Sequence, residues 1–317
     1  MKVMVTGGAG FIGSSLVDRL ISEGHTVDVV DDLSSGTLTN LASARLEGAS
    51  KFSFHQMDIR SPELIDFIAQ KRPEVIFHLA AQANVRHSVE RPVFDADVNI
   101  LGTLRLLEGA RCAGTIRIVF AASGGTLYGE PDPSELPIKE SCAHHPLSPY
   151  GVSKKAAVAY MEAFKSMYGL DYCALALANV YGPRQDPNGE AGVIAIFAER
   201  LLKNQQVIIY GDGEQTRDFV FVDDVVDAFI KAGAVGGGGR IVNIGTGQEI
   251  SVNELASIMI RAIGTDISPV HAQERMGELR RNSLDPSLAG TVLDWSPWTK
   301  LENGIYDVIE HFRKVLL

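Results

Sequence analysis

The chain has 317 residues, 45% hydrophobic and 21% charged, so it can bury a large core as one domain or as two lobes sharing a cleft. Its formal net charge of -10 argues against a nucleic-acid partner. No apolar run reaches membrane-spanning length, and Met1-Lys2 lead directly into a strand-like stretch, so we expect a cytoplasmic protein without a membrane partner. Three widely spaced cysteines favour neither a disulfide framework nor a metal site.

Short β-branched runs alternate with longer amphipathic segments through the first half of the chain. One helix is predicted at Phe11–Glu23, before the helix-stopping Gly24, and another from Ser61-Pro62 to Lys71. This alternation predicts right-handed crossovers and therefore an α/β fold with a doubly wound parallel sheet, whose ligand site lies at the carboxyl ends of the strands. The predicted buried strands are Lys2–Val5, Thr26–Val30, Phe52–Gln56, Val75–Leu79 and Ile116–Ala121.

The second half of the chain is looser and richer in Gly, Pro and Asp, notably at 181–192. A glycine-rich turn at 236–239 separates a predicted helix from the predicted strand Arg240–Ile244. These features predict a smaller carboxyl-terminal lobe that holds the substrate. The helices predicted in this half are Val193–Lys203, Asp223–Ala234, Val252–Ile263 and Leu301–Val315.

Three glycines, Gly7, Gly10 and Gly13, follow the first strand and open the first helix. In a dinucleotide-binding turn the first glycine allows the tight turn, the second lets the backbone approach the pyrophosphate, and the third permits close helix-to-strand contact. The acidic pair Asp31-Asp32 ends the next strand, where a ribose hydroxyl would lie. Because a carboxylate there repels a 2′-phosphate, the motif predicts NAD rather than NADP.

Tyr150 and Lys154 share one face of a helix that begins at Ser148-Pro149. A neighbouring ammonium and a positively charged nicotinamide ring would stabilise the Tyr150 phenolate, which could then accept a hydroxyl proton. The same spacing also occurs by chance on solvated helices. Ser123 and Thr126, near the end of the fifth strand, are candidates for hydrogen bonding a reacting alcohol or ketone, although such stretches are also common in ordinary turns.

These elements together resemble the extended short-chain dehydrogenase/reductase family, and within it the UDP-glucose 4-epimerases, over nearly the whole chain. We therefore expect residues 1–178 to form an NAD-binding Rossmann domain, to which segments near 212–245 return, and residues 179–317 to form mainly a UDP-sugar-binding lobe. The matching stretches are Gly7–Gly13, His78–Gln82, Asn99, Tyr150–Lys154, Asn179–Arg184, Gly211–Gly213, Thr216–Asp218 and Asn243–Gly245.

The resemblance implies a catalytic Tyr150 supported by Lys154, with Ser123 or Thr126 facing the substrate. Asp58 and Ile59 would contact the adenine. Besides Gly7, Gly10, Gly13, Asp31 and Asp32, the implied cofactor contacts are Phe11, Ile12, Ser35, Gly36, Asp58, Ile59, Leu79, Ala80, Ala81, Gln82, Asn99, Tyr150 and Lys154. The implied substrate contacts are Ser123, Gly124, Gly125, Thr126, Tyr150, Asn179, Val193, Arg217, Arg275 and Asn282.

The chain departs from the family's pattern at two places. Many members carry Ser or Thr where this chain has Gly124, which leaves Ser123 or Thr126 for the substrate-facing hydroxyl. Ala176-Leu177 replaces an Arg-Tyr pair that often precedes the substrate asparagine. Asn282 occupies a position where a bulky tyrosine is associated with rejection of N-acetyl sugars, so we expect some tolerance of an acetamido substrate.

The predicted function is the reversible NAD-dependent C4 epimerisation of UDP-glucose and UDP-galactose through a 4-ketosugar. UDP-N-acetylglucosamine and UDP-glucuronate 4-epimerases share this chemistry and stay open as alternatives. A dehydratase is disfavoured, because Gly125-Thr126-Leu127 stands where similar dehydratases carry an Asp-Glu pair, and a non-catalytic NAD-binding protein would be free to lose Tyr150 or Lys154. The apolar helix pair Val98–Leu107 and Ala156–Phe164 predicts a homodimer.

Overall fold

The computed structural model describes residues 1–187, 192–235, 237–275 and 279–316. Parts of the predicted loop at 181–192 and of the predicted turn at 236–239 therefore lie outside the described residues. Within the described ranges, no helix is both long enough and apolar enough to cross a membrane.

A parallel sheet of seven strands forms the centre of the described structure, in the order β3-β2-β1-β4-β5-β6-β11. The strands in chain order are β1 (Lys2–Thr6), β2 (Thr26–Asp31), β3 (Phe52–Gln56), β4 (Val75–His78), β5 (Arg117–Ser123), β6 (Asp171–Leu177), β7 (Asn179–Tyr181), β8 (Ile208–Tyr210), β9 (Thr216–Arg217), β10 (Phe219–Phe221), β11 (Arg240–Ile244), β12 (Ile250–Ser251) and β13 (Val270–Ala272). Three short pairs lie outside the sheet and join β7 to β10, β9 to β12 and β8 to β13. The strand order reverses between β1 and β4, which confirms the predicted doubly wound fold.

Helices cover both faces of the sheet. They are α1 (Phe11–Ser22), α2 (Ala42–Gly48), α3 (Glu63–Lys71), α4 (Val85–Glu90), α5 (Pro92–Ala96), α6 (Thr103–Ala113), α7 (Gly124–Leu127), α8 (Pro149–Tyr168), α9 (Val193–Leu202), α10 (Val222–Val235), α11 (Val252–Ile263), α12 (Ser287–Leu293) and α13 (Leu301–Leu316), with a π-helical segment at Asp97–Gly102. α8 begins where predicted, because the Ser148 hydroxyl accepts a hydrogen bond from the Gly151 amide at 3.2 Å and Pro149 fits the first turn.

The sheet is buried on both faces because successive residues of its strands alternate between two hydrophobic layers. In β1, Val3 and Val5 belong to the layer that contains α1 and α10, whereas Met4 belongs to the layer that contains α3, α6 and α8. A shift of one residue would exchange the two sets of side chains, so this burial fixes the register of the strands.

The chain returns to the sheet late in the sequence. β11 pairs in parallel with β6, from Arg240 beside Cys173 to Ile244 beside Leu177. α10 packs on the same sheet, where Phe229 meets Phe77 edge to face with ring centroids 6.5 Å apart. The division of function between residues 1–178 and 179–317 stays a prediction.

Apart from the helix pair Val98–Leu107 and Ala156–Phe164, which are parts of longer helical stretches, the predicted strands and helices agree with the structure to within two residues at their ends. The largest shift in a helix start is at α3, which begins at Glu63 rather than at Ser61. β6 is absent from the predicted strands, although Tyr172–Ala178 is an apolar run. A short apolar run without alternation does not distinguish a central strand from a buried helical segment, which is why periodicity missed it.

Candidate active site

A cavity of about 990 Å³ lies at the carboxyl ends of β1, β2, β4 and β5 and reaches the first turn of α8; we call it the cofactor cleft. This is where a doubly wound sheet binds its ligand. Sixteen of the predicted cofactor residues line the cleft: Gly7, Gly10, Phe11, Ile12, Gly13, Asp31, Asp32, Ser35, Asp58, Ile59, Leu79, Ala80, Ala81, Gln82, Tyr150 and Lys154. The other two, Gly36 and Asn99, lie behind its wall.

The glycine turn after β1 leaves no room for side chains. Gly7 has φ of 71°, and a Cβ on it would lie 2.6 Å from the Ala80 nitrogen. A Cβ on Gly13 would lie 2.1 Å from the Gly7 carbonyl oxygen. α1 then begins after Gly10, without a side-chain cap and without an acidic residue in its first turn. The turn therefore presents bare backbone and the positive end of a helix dipole, which fits a pyrophosphate.

The acidic pair at the end of β2 is held by local hydrogen bonds. Asp31 accepts hydrogen bonds from the Ala9 amide at 2.9 Å and the Leu33 amide at 2.8 Å. Asp32 accepts from the Ser34 amide at 2.9 Å. Burial raises the pKa of Asp31, although both amide hydrogen bonds oppose that shift. Asp31 thus braces the glycine turn and also lines the cleft, where it can accept a ribose hydroxyl.

Tyr150 and Lys154 lie together at the inner end of the cleft. The Lys154 ammonium is 5.6 Å from the centroid of the Tyr150 ring and 4.6 Å from that of Phe120. It donates a hydrogen bond to the Ala121 carbonyl at 2.9 Å, and its residue is only 2% exposed. Burial lowers the pKa of Lys154 to about 8, an effect that the Asp95 carboxylate opposes. The lysine therefore still carries its charge at neutral pH, close enough to stabilise a phenolate.

The glycine at position 124 has a packing cause. A Cβ on Gly124 would lie 2.4 Å from the Leu284 Cδ1 atom, so a serine or threonine there would collide with that side chain. Ser123 ends β5, and Thr126 lies in α7 with its hydroxyl oxygen buried and without a hydrogen-bond partner among the described residues. Neither residue lines the cofactor cleft. Which of the two hydroxyls faces the substrate stays a prediction.

The predicted substrate contacts of the second half do not line the cofactor cleft. Arg275 stacks on Tyr210, with its guanidinium carbon 3.4 Å from the ring centroid. Arg217 donates to the Thr216 carbonyl at 2.7 Å. Asn282 is 1% exposed, and neither polar atom of its side chain is hydrogen-bonded within the described ranges. Asn179 begins β7 and Val193 begins α9.

The buried carboxylate of Asp218 joins three segments of the second half of the chain. Asp218, beside Arg217, is fully buried and accepts hydrogen bonds from the Thr246 amide and hydroxyl and from the amides of Gly247 and Leu284. Burial raises its pKa, and these hydrogen bonds oppose the shift. Asp218 thereby fixes the segment containing Leu284, and so the wall that Leu284 forms against Gly124.

Several residues that line the cofactor cleft were given no role by the sequence patterns, among them Arg184, Gln185 and Asp186 of the second half. Arg184 has φ of 68° and donates to the Asp18 carboxylate at 2.6 Å and to the Ser14 hydroxyl at 3.2 Å, both on α1. The sequence feature that could have pointed to Arg184 is its position at the end of the matching stretch Asn179–Arg184. Its pairing with α1 depends on a positive φ and a long-range contact, which spacing does not reveal.

Asn99 and Gly36 support the cleft from behind. Asn99 is buried; its side-chain oxygen accepts from the Gln82 amide, and its side-chain nitrogen donates to the Gln82 carbonyl, both at 2.9 Å. A Cβ on Gly36 would lie 2.8 Å from the Ala9 carbonyl carbon, so Gly36 packs directly on the glycine turn. Both residues shape the wall, and their direct contact with a cofactor stays a prediction.

Residues 3–245, more than half of the chain, match the NAD dependent epimerase/dehydratase family. The chain belongs to this family. NAD is therefore its cofactor, as the glycine fingerprint and Asp31 predict, and the bare backbone of the turn after β1 fits it. The resemblance to extended short-chain dehydrogenases is confirmed.

Similar proteins extend this family match over the whole chain. The chain is 50% identical to a UDP-glucose 4-epimerase of Mycolicibacterium smegmatis, covering 99% of each, and 47% identical to a putative UDP-glucose 4-epimerase of Methanocaldococcus jannaschii, covering 97% of each. Among solved structures, it is 45% identical to the Thermotoga maritima UDP-glucose 4-epimerase with UDP-glucose, with a TM-score of 0.95 and full coverage of both chains. A Thermus thermophilus UDP-glucose 4-epimerase complex with NAD is 40% identical, with a TM-score of 0.90 and 99% coverage of each.

Proposed function

We propose that this family member is an NAD-dependent UDP-glucose 4-epimerase, which interconverts UDP-glucose and UDP-galactose through a 4-ketosugar. The observation that carries the proposal is the position of Tyr150, with Lys154, at the inner end of the cofactor cleft. Gly125-Thr126-Leu127 supplies no acid and base pair of the kind that dehydration requires. Two of the full-length relatives named above are UDP-glucose 4-epimerases, one of them solved with UDP-glucose.

Tyr150 is the base of the reaction. The Lys154 ammonium stabilises its phenolate, which accepts the proton of the sugar 4-hydroxyl and returns it at the end of the cycle. Bound NAD supplies the hydride acceptor, and then the donor, at the same carbon. Because the proton and the hydride are both returned, no net oxidation occurs, and the configuration changes when the hydride returns to the opposite face of the ketosugar.

The second half of the chain holds the diphosphate. Arg217 and Arg275 provide guanidinium groups for the UDP phosphates, and the stacking of Arg275 on Tyr210 pre-organises one of them. A firm hold on UDP lets the 4-ketosugar turn about its link to the diphosphate and present its opposite face. The hexose itself must be held loosely, which agrees with the absence of charged residues from the stretch Ser123–Leu127.

One direct experiment tests the proposal. Purified protein is incubated separately with UDP-glucose, UDP-galactose, UDP-N-acetylglucosamine and UDP-glucuronate, and the products are separated by chromatography. We expect UDP-glucose and UDP-galactose to reach the same mixture from either side. Formation of a 4-keto-6-deoxy sugar would replace the proposal with a dehydratase, and conversion of UDP-glucuronate alone would reassign the substrate.

We also propose that the protein acts as a cytoplasmic homodimer. The helix pair predicted to form the interface carries the exposed apolar residues Leu101, in the π-helical segment, and Tyr160, in α8. Val152 is also exposed and lies on α8, just before the predicted stretch Ala156–Phe164. Light scattering should give twice the chain mass, and Val152→Glu should give the chain mass. A monomeric wild-type protein would contradict the dimer without affecting the proposed chemistry.

A further inference from the structure

A buried carboxylate, Asp95 of α5, lies beside the catalytic pair and has no role in the mechanism above. It is 1% exposed, and its Oδ1 atom accepts hydrogen bonds from the Gln82 and Asn99 side-chain amides, both at 3.0 Å. Its Oδ2 atom is buried and receives no hydrogen bond from any described residue. A charge buried with an unbonded oxygen is costly, so a specific role is expected of it.

The hydrogen bonds of Asp95 lead to both walls of the active site. On one side, Gln82 lines the cofactor cleft, and Asn99 bonds both the amide and the carbonyl of Gln82. On the other side, the Asn99 side chain donates to the Ser153 hydroxyl at 3.2 Å, and that hydroxyl donates to the Tyr150 carbonyl at 2.9 Å. Asp95 thus anchors a chain of polar groups that ties the segment after β4 to the first turn of α8.

Asp95 and Lys154 are both buried, and the Asp95 carboxylate acts electrostatically on the Lys154 ammonium. Lys154 is bonded to the Ala121 carbonyl and lies over the rings of Phe120 and Tyr150. The other titratable group that acts here is His78, at the end of β4, which is fully buried. Burial lowers the pKa of His78 to about 3, and its ring nitrogens are bonded to the hydroxyls of Thr6 and Thr103, so it is neutral. Burial lowers the pKa of Lys154, and the Asp95 carboxylate opposes that shift and so favours the ammonium form.

We propose that Asp95 is a positioning residue of the epimerase, which aligns Gln82 and Asn99 through its hydrogen bonds and supplies the negative charge that faces Lys154. The proposal rests on the proposed function, because it assigns Asp95 to the support of the Tyr150 base. Asp95 touches neither the sugar nor the cofactor in this scheme. It acts through Lys154 and through the Asn99–Ser153 link to Tyr150.

The first variant removes the charge of Asp95 and keeps the shape of its side chain. Asp95→Asn should lower kcat by about tenfold at neutral pH, with little change in KM for UDP-galactose. Without the anion Lys154 loses its proton more readily, so the alkaline limb of the kcat profile should move to lower pH by about one unit. Asp66→Asn makes the same change at an exposed carboxylate on α3 and should leave the profile in place.

Two further measurements separate support of the base from a purely structural role. Ser153→Ala breaks the hydrogen-bond chain but keeps the Asp95 charge, so it should lower kcat without moving the alkaline limb. The NAD content and thermal midpoint of each variant identify loss of folding. If Asp95→Asn does not fold, Asp95→Glu retains the charge and should keep the alkaline limb at its wild-type position.

The proposal would be overturned if Asp95→Asn lowered kcat without moving the alkaline limb of the kcat profile. It would also be overturned if Asp95→Glu moved that limb to lower pH. Failure of the proposed function is visible elsewhere, because wild-type protein would then form no C4 epimer. The Asp95 proposal depends only on the ratio of variant to wild type. The two failures are therefore distinguishable.

Discussion

The cofactor side and the substrate side of the active site are built differently. On the cofactor side, the acidic side chains at the end of β2 are tied to neighbouring backbone, as Asp31 is to Ala9 and Leu33. On the predicted substrate side, Thr126 and Asn282 have buried side-chain polar atoms that bond no described residue. Asp31 is therefore held in place before any ligand arrives, whereas Thr126 and Asn282 retain hydrogen-bonding capacity.

The difference suits a catalyst that must keep NAD in place while the sugar turns. A pre-organised cleft costs little ordering free energy when NAD binds, which favours tight retention. If Thr126 and Asn282 contact the hexose as predicted, their unbonded polar groups can bond either face of a ketosugar, which favours rotation. Each of the following four variants changes a residue of one side. A change in the property that depends on the other side, NAD retention or substrate binding, would contradict the difference between the two sides.

The largest effect is expected at the base. Tyr150→Phe should lower turnover by about 100-fold or more, because proton transfer is lost, while the NAD content stays near wild type. Tyr168→Phe, on the same helix but exposed, is the matched control and should retain full turnover. Near-normal turnover of Tyr150→Phe would refute its role.

The next effect is expected at the diphosphate. Arg275→Ala should raise KM for UDP-galactose by about 10- to 100-fold, because a charge-assisted hydrogen bond to phosphate is lost. Its NAD content should not change. Equilibrium binding of UDP by calorimetry checks the same loss without turnover. An unchanged UDP affinity would remove Arg275 from the substrate side.

A selective effect is expected at the sugar. Asn282→Tyr should lower activity on UDP-N-acetylglucosamine by about tenfold or more relative to UDP-galactose, because steric exclusion acts on the acetamido group. Asn282→Ser leaves the space open and should keep the wild-type ratio. Equal losses on both sugars would mean that Asn282 only packs the interior, where it is 1% exposed.

The smallest effect is expected at the edge of the cofactor cleft. Arg184→Ala should speed release of NAD by about two- to fivefold, because that factor corresponds to the free energy of a partly exposed ion pair such as Arg184–Asp18. Asp18→Asn should match it, and the double variant should release NAD no faster than either single variant. Additive effects in the double variant would show that the pair does not act as a unit.

The sequence predicts the cofactor side well, because that side depends on local rules. The strand, glycine turn and helix of residues 2–22 follow one another, and Asp31 falls at the next strand end. Gly124 shows the limit of such rules. Its pattern departs from the family, but the cause is Leu284, which is distant in sequence and is placed by the hydrogen bond of its amide to Asp218. Spacing along the chain carries no information about such a contact.

Residues that act through others are equally hidden from patterns. Asn99 fits the family as a cofactor contact, yet the structure places it behind Gln82, and Asp95 carries no motif at all. Arg184 depends on a left-handed backbone, which non-glycine residues rarely adopt. Each role emerges from three-dimensional packing, so only the residue types, and not their partners, were open to prediction.

The late return of β11 to the sheet has a consequence for synthesis of the chain. Until residues 240–244 leave the ribosome, one edge of β6 has no partner, and its unpaired amides and carbonyls offer a template to any other extended chain. A fragment that ends near residue 178 would keep that edge permanently. We therefore expect such a fragment to aggregate, and the nascent protein to need protection from other chains until Ile244 has been added and β6 has been covered.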